Sequence, residues 1–444
     1  MPQISPHQRD GQRSSMRRRE FLRQALGTTA LAATSGWMHA PAVIGGEKPQ
    51  VTMLSWNNFV PEADVELRRQ AEEYSKQTGV PVMVDFIAHL QLPTKTAAEV
   101  QGQSGHDIIF FLRAQEVALY ENHLIDLTDF VAEFKDTHGG YYPWIKDYFE
   151  INGAWRAVPW FTGGGFLGCY NEALFNKFGV PPADTWEDLK NAGKQLKQKG
   201  HPVGIAISHC VDANSTFWYI AWCYGSKVLE ADGKTVAIKS DETKQVLEFY
   251  KELYMDAMEP DVLSWDDASN NRYLISGKGC WIHNPISAYN TAKTRNMAIA
   301  KDLNHTLTPS GPAGRFMAAN AQSLGIWKFS KQQEEAKKFI RYLFQPENFN
   351  QWMEAAAGYN IGPQRDFANH PVFSRDPKIT VSPKNLAFGR PYGWPAKPGP
   401  IIGEIDVTYV LPDMVAKVIS GSSINEAMTW CEEYLNKIVK SHRT

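Results

Sequence analysis

The chain has 444 residues, more than one ordinary hydrophobic core accommodates, so two domains are expected. A hydrophobic fraction of 43% and a charged fraction of 21% exclude a largely disordered chain and a polytopic membrane protein. The 46 Lys and Arg against 48 Asp and Glu give a net charge of −2, without the basic excess of a nucleic-acid binder.

The chain starts with an address. Arg18, Arg19, Phe21, Leu22 and Arg23 fit the twin-arginine export pattern. The apolar run from Ala25 to Met38 is shorter than the roughly 20 residues a spanning helix needs. Ala40-Pro41-Ala42 then offers a small-x-small cleavage site. Residues 1–42 read as a signal peptide directing the protein to the periplasm, with an uncleaved amphipathic anchor as the alternative. Its removal leaves 40 basic and 46 acidic residues, a net charge of −6.

Val51-Thr-Met-Leu-Ser-Trp56 is a short apolar strand, and a helix fits 62–77 with Leu67, Ala71 and Tyr74 on one face. Val80 to Ile87 alternates as a second strand, and Ile108-Ile109-Phe110-Phe111 is a run of the kind buried in parallel sheets. Strand, helix and strand in alternation predict α/β units with a mostly parallel sheet. Thr185 to Asp188 is a capping box for a helix carrying Leu189, Ala192 and Leu196. A strand over 203–208 and a helix over 241–256 follow. Ser330 with Gln333, and Ser423 with Glu426, are read as caps of two further helices. Six prolines between 375 and 400 predict a long irregular connection.

Motifs for common chemistry are missing. There is no GxxxxGK[ST], and Gly163–Gly165 leads into Phe-Leu-Gly-Cys-Tyr rather than a helix start, so it is a poor phosphate cradle. The twelve His residues never fall at HxH, HxxH or HxxxH spacing, and no GxSxG elbow or DxDxDG loop occurs. Five cysteines without CxxC spacing do not form a disulfide framework. Asp266-Asp267 and Glu432-Glu433 read as solvated faces, because adjacent side chains diverge. No cofactor and no metal are expected.

The positive signal is a set of blocks in a fixed order. Tyr170-Asn171-Glu172-Ala173-Leu174-Phe175 runs through Phe178-Gly179-Val180-Pro181-Pro182 to Thr185-Trp186-Glu187-Asp188-Leu189. Asp107-Ile108-Ile109-Phe110 before Leu124-Ile125-Asp126-Leu127, Ser276–Cys280 before Asn284-Pro285, and Gly358–Pro363 agree with the same pattern. Over essentially the whole chain after the signal, this resembles the extracellular solute-binding proteins of sugar-type ABC importers, the relatives of maltose-binding protein. The resemblance implies an α/β, two-lobed periplasmic-binding-protein fold of type II with several hinge crossings. It places 49–163 and 320–348 in the N-terminal lobe, and 164–319 and 349–444 in the C-terminal lobe. It also implies a non-enzymatic, monomeric receptor that closes on a sugar, oligosaccharide or polyol and serves membrane permease subunits and a cytoplasmic ATPase.

Sugars offer C–H faces to aromatic rings and hydroxyls to planar polar groups. Candidates are therefore aromatics interleaved with such groups near strand ends and crossings. They are Trp56 and Asn57; Phe111, Arg113 and Gln115; Trp160 and Gly164; Asp212, Asn214 and Trp218. His283 and Asn284, Tyr359 and Arg365, and Tyr392 and Trp394 complete the set. Phe111 reads equally as platform and as packing, and His283 reads as a hydrogen-bonded structural residue. Trp222, four residues from Trp218, reads as core. A phosphorylated polyol such as glycerol 3-phosphate, met by Arg113 and Arg365, is one alternative. A periplasmic carbohydrate-active enzyme is another, and an exported redox enzyme a third. A cationic ligand would want several carboxylates, of which Asp212 is the one expected in the cleft.

Overall fold

A computed structural model describes residues 49–442. The twin-arginine segment and its cleavage site lie outside the described residues.

Strand β1 (Val51–Trp56) leads into helix α1 (Pro61–Thr78), which starts on a proline and stops at Gly79, whose φ of 72° suits glycine. Ala63, Leu67, Gln70, Ala71 and Tyr74 turn its buried face to the core. Strand β2 (Val82–Ile87), helix α2 (Leu92–Gly102) and strand β3 (Ile108–Phe111) follow, and both β2 and β3 run parallel to β1. Strands β4 (Val158–Thr162) and β5 (Leu167–Asn171) are consecutive in sequence yet belong to different sheets. The chain leaves the first lobe between them, at Gly163–Gly165.

The second lobe holds α3 (Trp186–Lys197), β6 (Val203–Gly204), α4 (Val211–Cys223), α5 (Asp241–Ala257), α6 (Ser269–Ile275), β7 (Trp281–Asn284) and β8 (Leu303–Thr306). The chain returns through β9 (Met317–Ala319) to β10 (Ala321–Ile326), then forms α7 (Gln333–Leu343) and α8 (Pro346–Ala355). Beyond these come β11 (Gly389–Pro391), α9 (Pro400–Thr408), α10 (Val410–Ile419) and α11 (Ile424–Ser441).

The first sheet has the order β2-β1-β3-β10-β4 and the second β8-β5-β7-β6. Both are mixed, which corrects the expectation of mostly parallel sheets. In the first, β10 lies antiparallel to β3 and β4 because it is the returning strand of a crossing. In the second, only β6 with β7 is parallel. Helices α10 and α11 cover α5 of the second lobe, while α8 lies on α1 of the first. The two short strands β9 and β11 pair with each other in parallel at the crossings.

Three local readings differ. The strand expected over 203–208 is paired at Val203–Gly204 alone. Ser330 does not cap α7: its hydroxyl donates to Asp107 at 2.7 Å and accepts from the Gln332 N–H. The proline-rich stretch is largely ordered, with short helical turns at Pro377–Ile379, Val381–Asn385 and Leu386–Phe388 and buried Ser382, Asn385 and Leu386. The Thr185–Asp188 and Ser423–Glu426 capping boxes both form.

Asp107 joins the first lobe's layers. Its buried carboxylate accepts from Thr52 N–H at 2.8 Å, Thr52 Oγ1 at 2.9 Å and Ser330 Oγ at 2.7 Å. Replacing it by Ala strands three donors at the junction of β1, β3 and the entry to α7. Asp107→Ala is expected to cost about 3 kcal/mol, read from urea unfolding midpoints; a loss below about 1 kcal/mol would contradict this role.

Candidate functional site

Between the lobes lies a cavity of about 130 Å³. Its first wall comes from the carboxyl ends of the parallel strands, where open α/β sheets hold ligands. Trp56 ends β1, Phe59 and His89 follow β1 and β2, and Arg113 and Gln115 follow β3. The second wall is one face of α4, where Asp212, Ser215 and Tyr219 recur at helical spacing, with Asp267, Asn271 and Asn284 beside it. The crossings supply Phe161, Phe166, Asn320, Tyr359, Tyr392 and Asp406.

A buried polar cluster is centred on Asp406 of α9. Gln115 Nε2 donates to its Oδ2 at 2.7 Å, Arg113 Nη1 lies 3.6 Å away, and Asn214 Nδ2 donates to both its carboxylate and its carbonyl oxygen. Arg113 also reaches Glu116 at 3.8 Å and the Tyr409 hydroxyl at 3.4 Å. Burial raises the Asp406 carboxyl above its usual range against the pull of Arg113. Glu116 is buried, and burial pushes it up to about 7.

At the mouth the lobes touch through His89 Nε2 and Asp267 Oδ2, 3.2 Å apart. Asp267 also accepts the Asp212 backbone N–H at 3.0 Å. As a residue Asp212 is half-buried, but its carboxyl is enclosed, and burial followed by the Asp267 charge holds it well above the carboxylate range. Asn284 accepts from Asn270 Nδ2 at 3.2 Å and donates to Ser287 Oγ at 3.0 Å. Tyr392 shares a 2.7 Å hydrogen bond with Ser215.

Seven candidate residues meet in this cavity: Trp56, Arg113, Gln115, Asp212, Asn284, Tyr359 and Tyr392. Asn214 stands behind them, holding Asp406. The others lie elsewhere. Phe111 stacks on Tyr120, Trp160 stacks on Trp352 at 4.7 Å, and Trp218 packs on Trp222 at 5.5 Å, all within the core. Trp394 packs under Arg390, and its carbonyl accepts from Trp222. His283 is buried between Thr216 and Thr308 hydroxyls, and burial lowers it to about 3. Gly164 is needed for close packing, because a Cβ there would meet Ser382. Asn57 is exposed, and Arg365 is exposed with its Nε on the Gly139 carbonyl, so Arg113 and Arg365 do not converge on one ligand.

The solvated reading of Asp266-Asp267 holds for Asp266, which is exposed and paired with Arg272, but not for Asp267. Asp406 carried no sequence signal, since a lone acid in a helix reads as surface. Phe59 and His89 were legible only as residues just past strand ends. Among the described residues no cluster of metal-binding side chains occurs.

Residues 69–381 match the model of a family described as bacterial extracellular solute-binding protein, and the chain belongs to this family. It is a solute-binding protein with a two-lobed periplasmic-binding-protein fold. A probable ABC transporter-binding protein of Deinococcus radiodurans is 24% identical over 341 residues, 72% of this chain and 75% of that one. Among solved structures, a Thermotoga lettingae ABC transporter solute-binding protein bound with α-D-tagatose superposes with a TM-score of 0.78. It is 19% identical, over 88% of this chain and 100% of that chain. An Agrobacterium radiobacter solute-binding protein in complex with ribitol gives a TM-score of 0.73 at 21% identity, over 88% and 98% of the two chains.

Glu116 gives this site a pH signature. Between its ordinary 4.5 and about 7 the folded state keeps a proton that the unfolded state has lost, so stability falls as pH rises through that window. Glu116→Gln is expected to remove this fall, about 1.4 kcal/mol for each pKa unit. Urea midpoints compared across the window check it; parallel pH profiles for the two proteins would contradict it.

Proposed function

We propose that the protein is the receptor of an ABC importer and captures a small sugar or polyol by closing its lobes over the inter-lobe cavity. The observation that carries this reading is the composition of that cavity. Aromatic side chains of Trp56, Phe59 and Tyr359 line it together with planar polar groups of Arg113, Gln115, Asn271 and Asn284. Rings meet the C–H faces of a sugar, and amides, carboxylates and guanidinium meet its hydroxyls. At about 30 Å³ of liquid volume per water, about 130 Å³ is room for on the order of four waters, the scale of one sugar ring or a linear polyol. The tagatose and ribitol bound by the two structural neighbours are of that size and support the same class.

Binding rather than turnover is favoured by how Asp406 is held. Asp406 is fixed by Arg113, Gln115 and Asn214, which suits a hydrogen-bond acceptor better than a proton donor. In this reading lobe closure about the crossings presents a combined surface to permease subunits. Export through the Arg18–Arg19 signal to the periplasm belongs to the proposal. So does the division into 49–163 with 320–348 and 164–319 with 349–444, to which the packing of Pro346–Ala355 on α1 adds one helix for the first lobe.

A panel of monosaccharides and alditols is expected to raise the melting temperature for a few members, since a ligand at 100 times its Kd stabilises the native state by about 2.7 kcal/mol. Phe59, 37% exposed, is the wall residue least committed to the core. Phe59→Ala is expected to weaken binding of those members about tenfold, on the scale of one lost aromatic contact. Unchanged affinity by calorimetry, or no stabilisation by any member, would overturn the reading.

A further inference from the structure

The three aspartates of the cavity are served unequally. Asp406 has a guanidinium and two amides. Asp267 has the His89 ring and a backbone N–H. Asp212 has the side-chain amide of Asn270 and, among the described residues, no lysine or arginine at ion-pair distance. Its nearest charge is another carboxylate. Burial and the neighbouring Asp267 carboxylate hold the Asp212 carboxyl well above the carboxylate range, and a cation beside it would lower it.

A second observation points the same way. Gln115 and Gln322 line the cavity at 2% and 9% exposure, and the Oε1 of each has no hydrogen-bond partner. Buried acceptors left open in this way call for a ligand rich in N–H and O–H groups. Ring faces lie close by: Phe59 is 5.3 Å from the His89 ring, 5.1 Å from Trp56 and 6.4 Å from Tyr359, centroid to centroid. Such faces attract a cation within about 6 Å. An anion finds Arg113 already engaged and three carboxylates around it.

We infer that the solute carries a primary ammonium group, held at Asp212 and Asp267 beside the rings of Phe59, Trp56 and Tyr359, with its hydroxyls on Gln115 and Gln322. This deepens the receptor reading and rests on it. The ligand class is an aminodeoxy sugar or amino alditol, whose three N–H donors complete Asp212 and let it ionise.

The test is calorimetry of the purified protein with matched pairs: 2-amino-2-deoxyhexoses and 1-amino-1-deoxyalditols against the parent hexoses and alditols, and against their N-acetyl forms. The amines are expected to bind at least tenfold more tightly than parents and N-acetyl forms. Asp212→Asn is expected to erase that preference, and Asp267→Asn to reduce it, with circular dichroism confirming that both fold. If the neutral parents bind as well as or better than the amines, or if the amine preference survives Asp212→Asn, the ammonium site is wrong while the receptor reading stands. If neither amines nor parents bind, both are wrong.

Discussion

The buried contact of Arg113 and Asp406 is where three parts of the chain meet. Arg113 and Gln115 come from the loop after β3, Asn214 from α4 of the second lobe, and Asp406 from the crossing helix α9. An ion pair taken out of water loses more solvation than Coulomb attraction returns unless further hydrogen bonds complete it. Here the two amides on Asp406, and Glu116 and the Tyr409 hydroxyl around Arg113, supply that completion. The same cluster forms the polar floor on which the cavity is built, so the geometry of the site depends on it.

Around that floor the crossings fix what the lobes present. The β4-to-β5 passage runs through glycines, and Thr162 on its first-lobe side exchanges backbone hydrogen bonds with Ile361 at 2.7 and 2.8 Å. Asn385 donates to the carbonyls of Gly164 and Phe166 at 2.9 and 3.1 Å, binding the proline-rich stretch to the same passage. Tyr359 and Tyr392 enter the cavity from these tied segments. At the mouth, the His89–Asp267 hydrogen bond joins elements of opposite lobes, alongside the Arg113 and Gln115 contacts to Asp406 deeper in.

Much of the fold was legible because periodicity reports burial. Val51–Trp56, Ile108–Phe111 and the helices with Leu67, Leu189 and Val246 stand where their patterns put them. Strand direction was not legible: β10 comes from a returning crossing, which no local pattern encodes. The site was less legible than the fold, for a related reason. Strands such as Val158–Thr162 are buried on both faces, so alternation does not say which aromatic faces a cavity. Trp160 goes to Trp352 while its neighbour Phe161 lines the chamber. Asp267 and Asp406 look like surface acids in sequence, and only tertiary packing encloses them.

The central claim is that a solute is bound by both walls of one inter-lobe cavity. Hydrogen exchange measured by mass spectrometry, with and without the most stabilising member of the sugar and polyol panel, tests it most directly. The account predicts protection on both walls at once, around Trp56–Phe59 and Arg113–Gln115 on one side and Asp212–Ser215 and Asp267–Asn271 on the other. Protection confined to one lobe, or centred away from these segments, would contradict it.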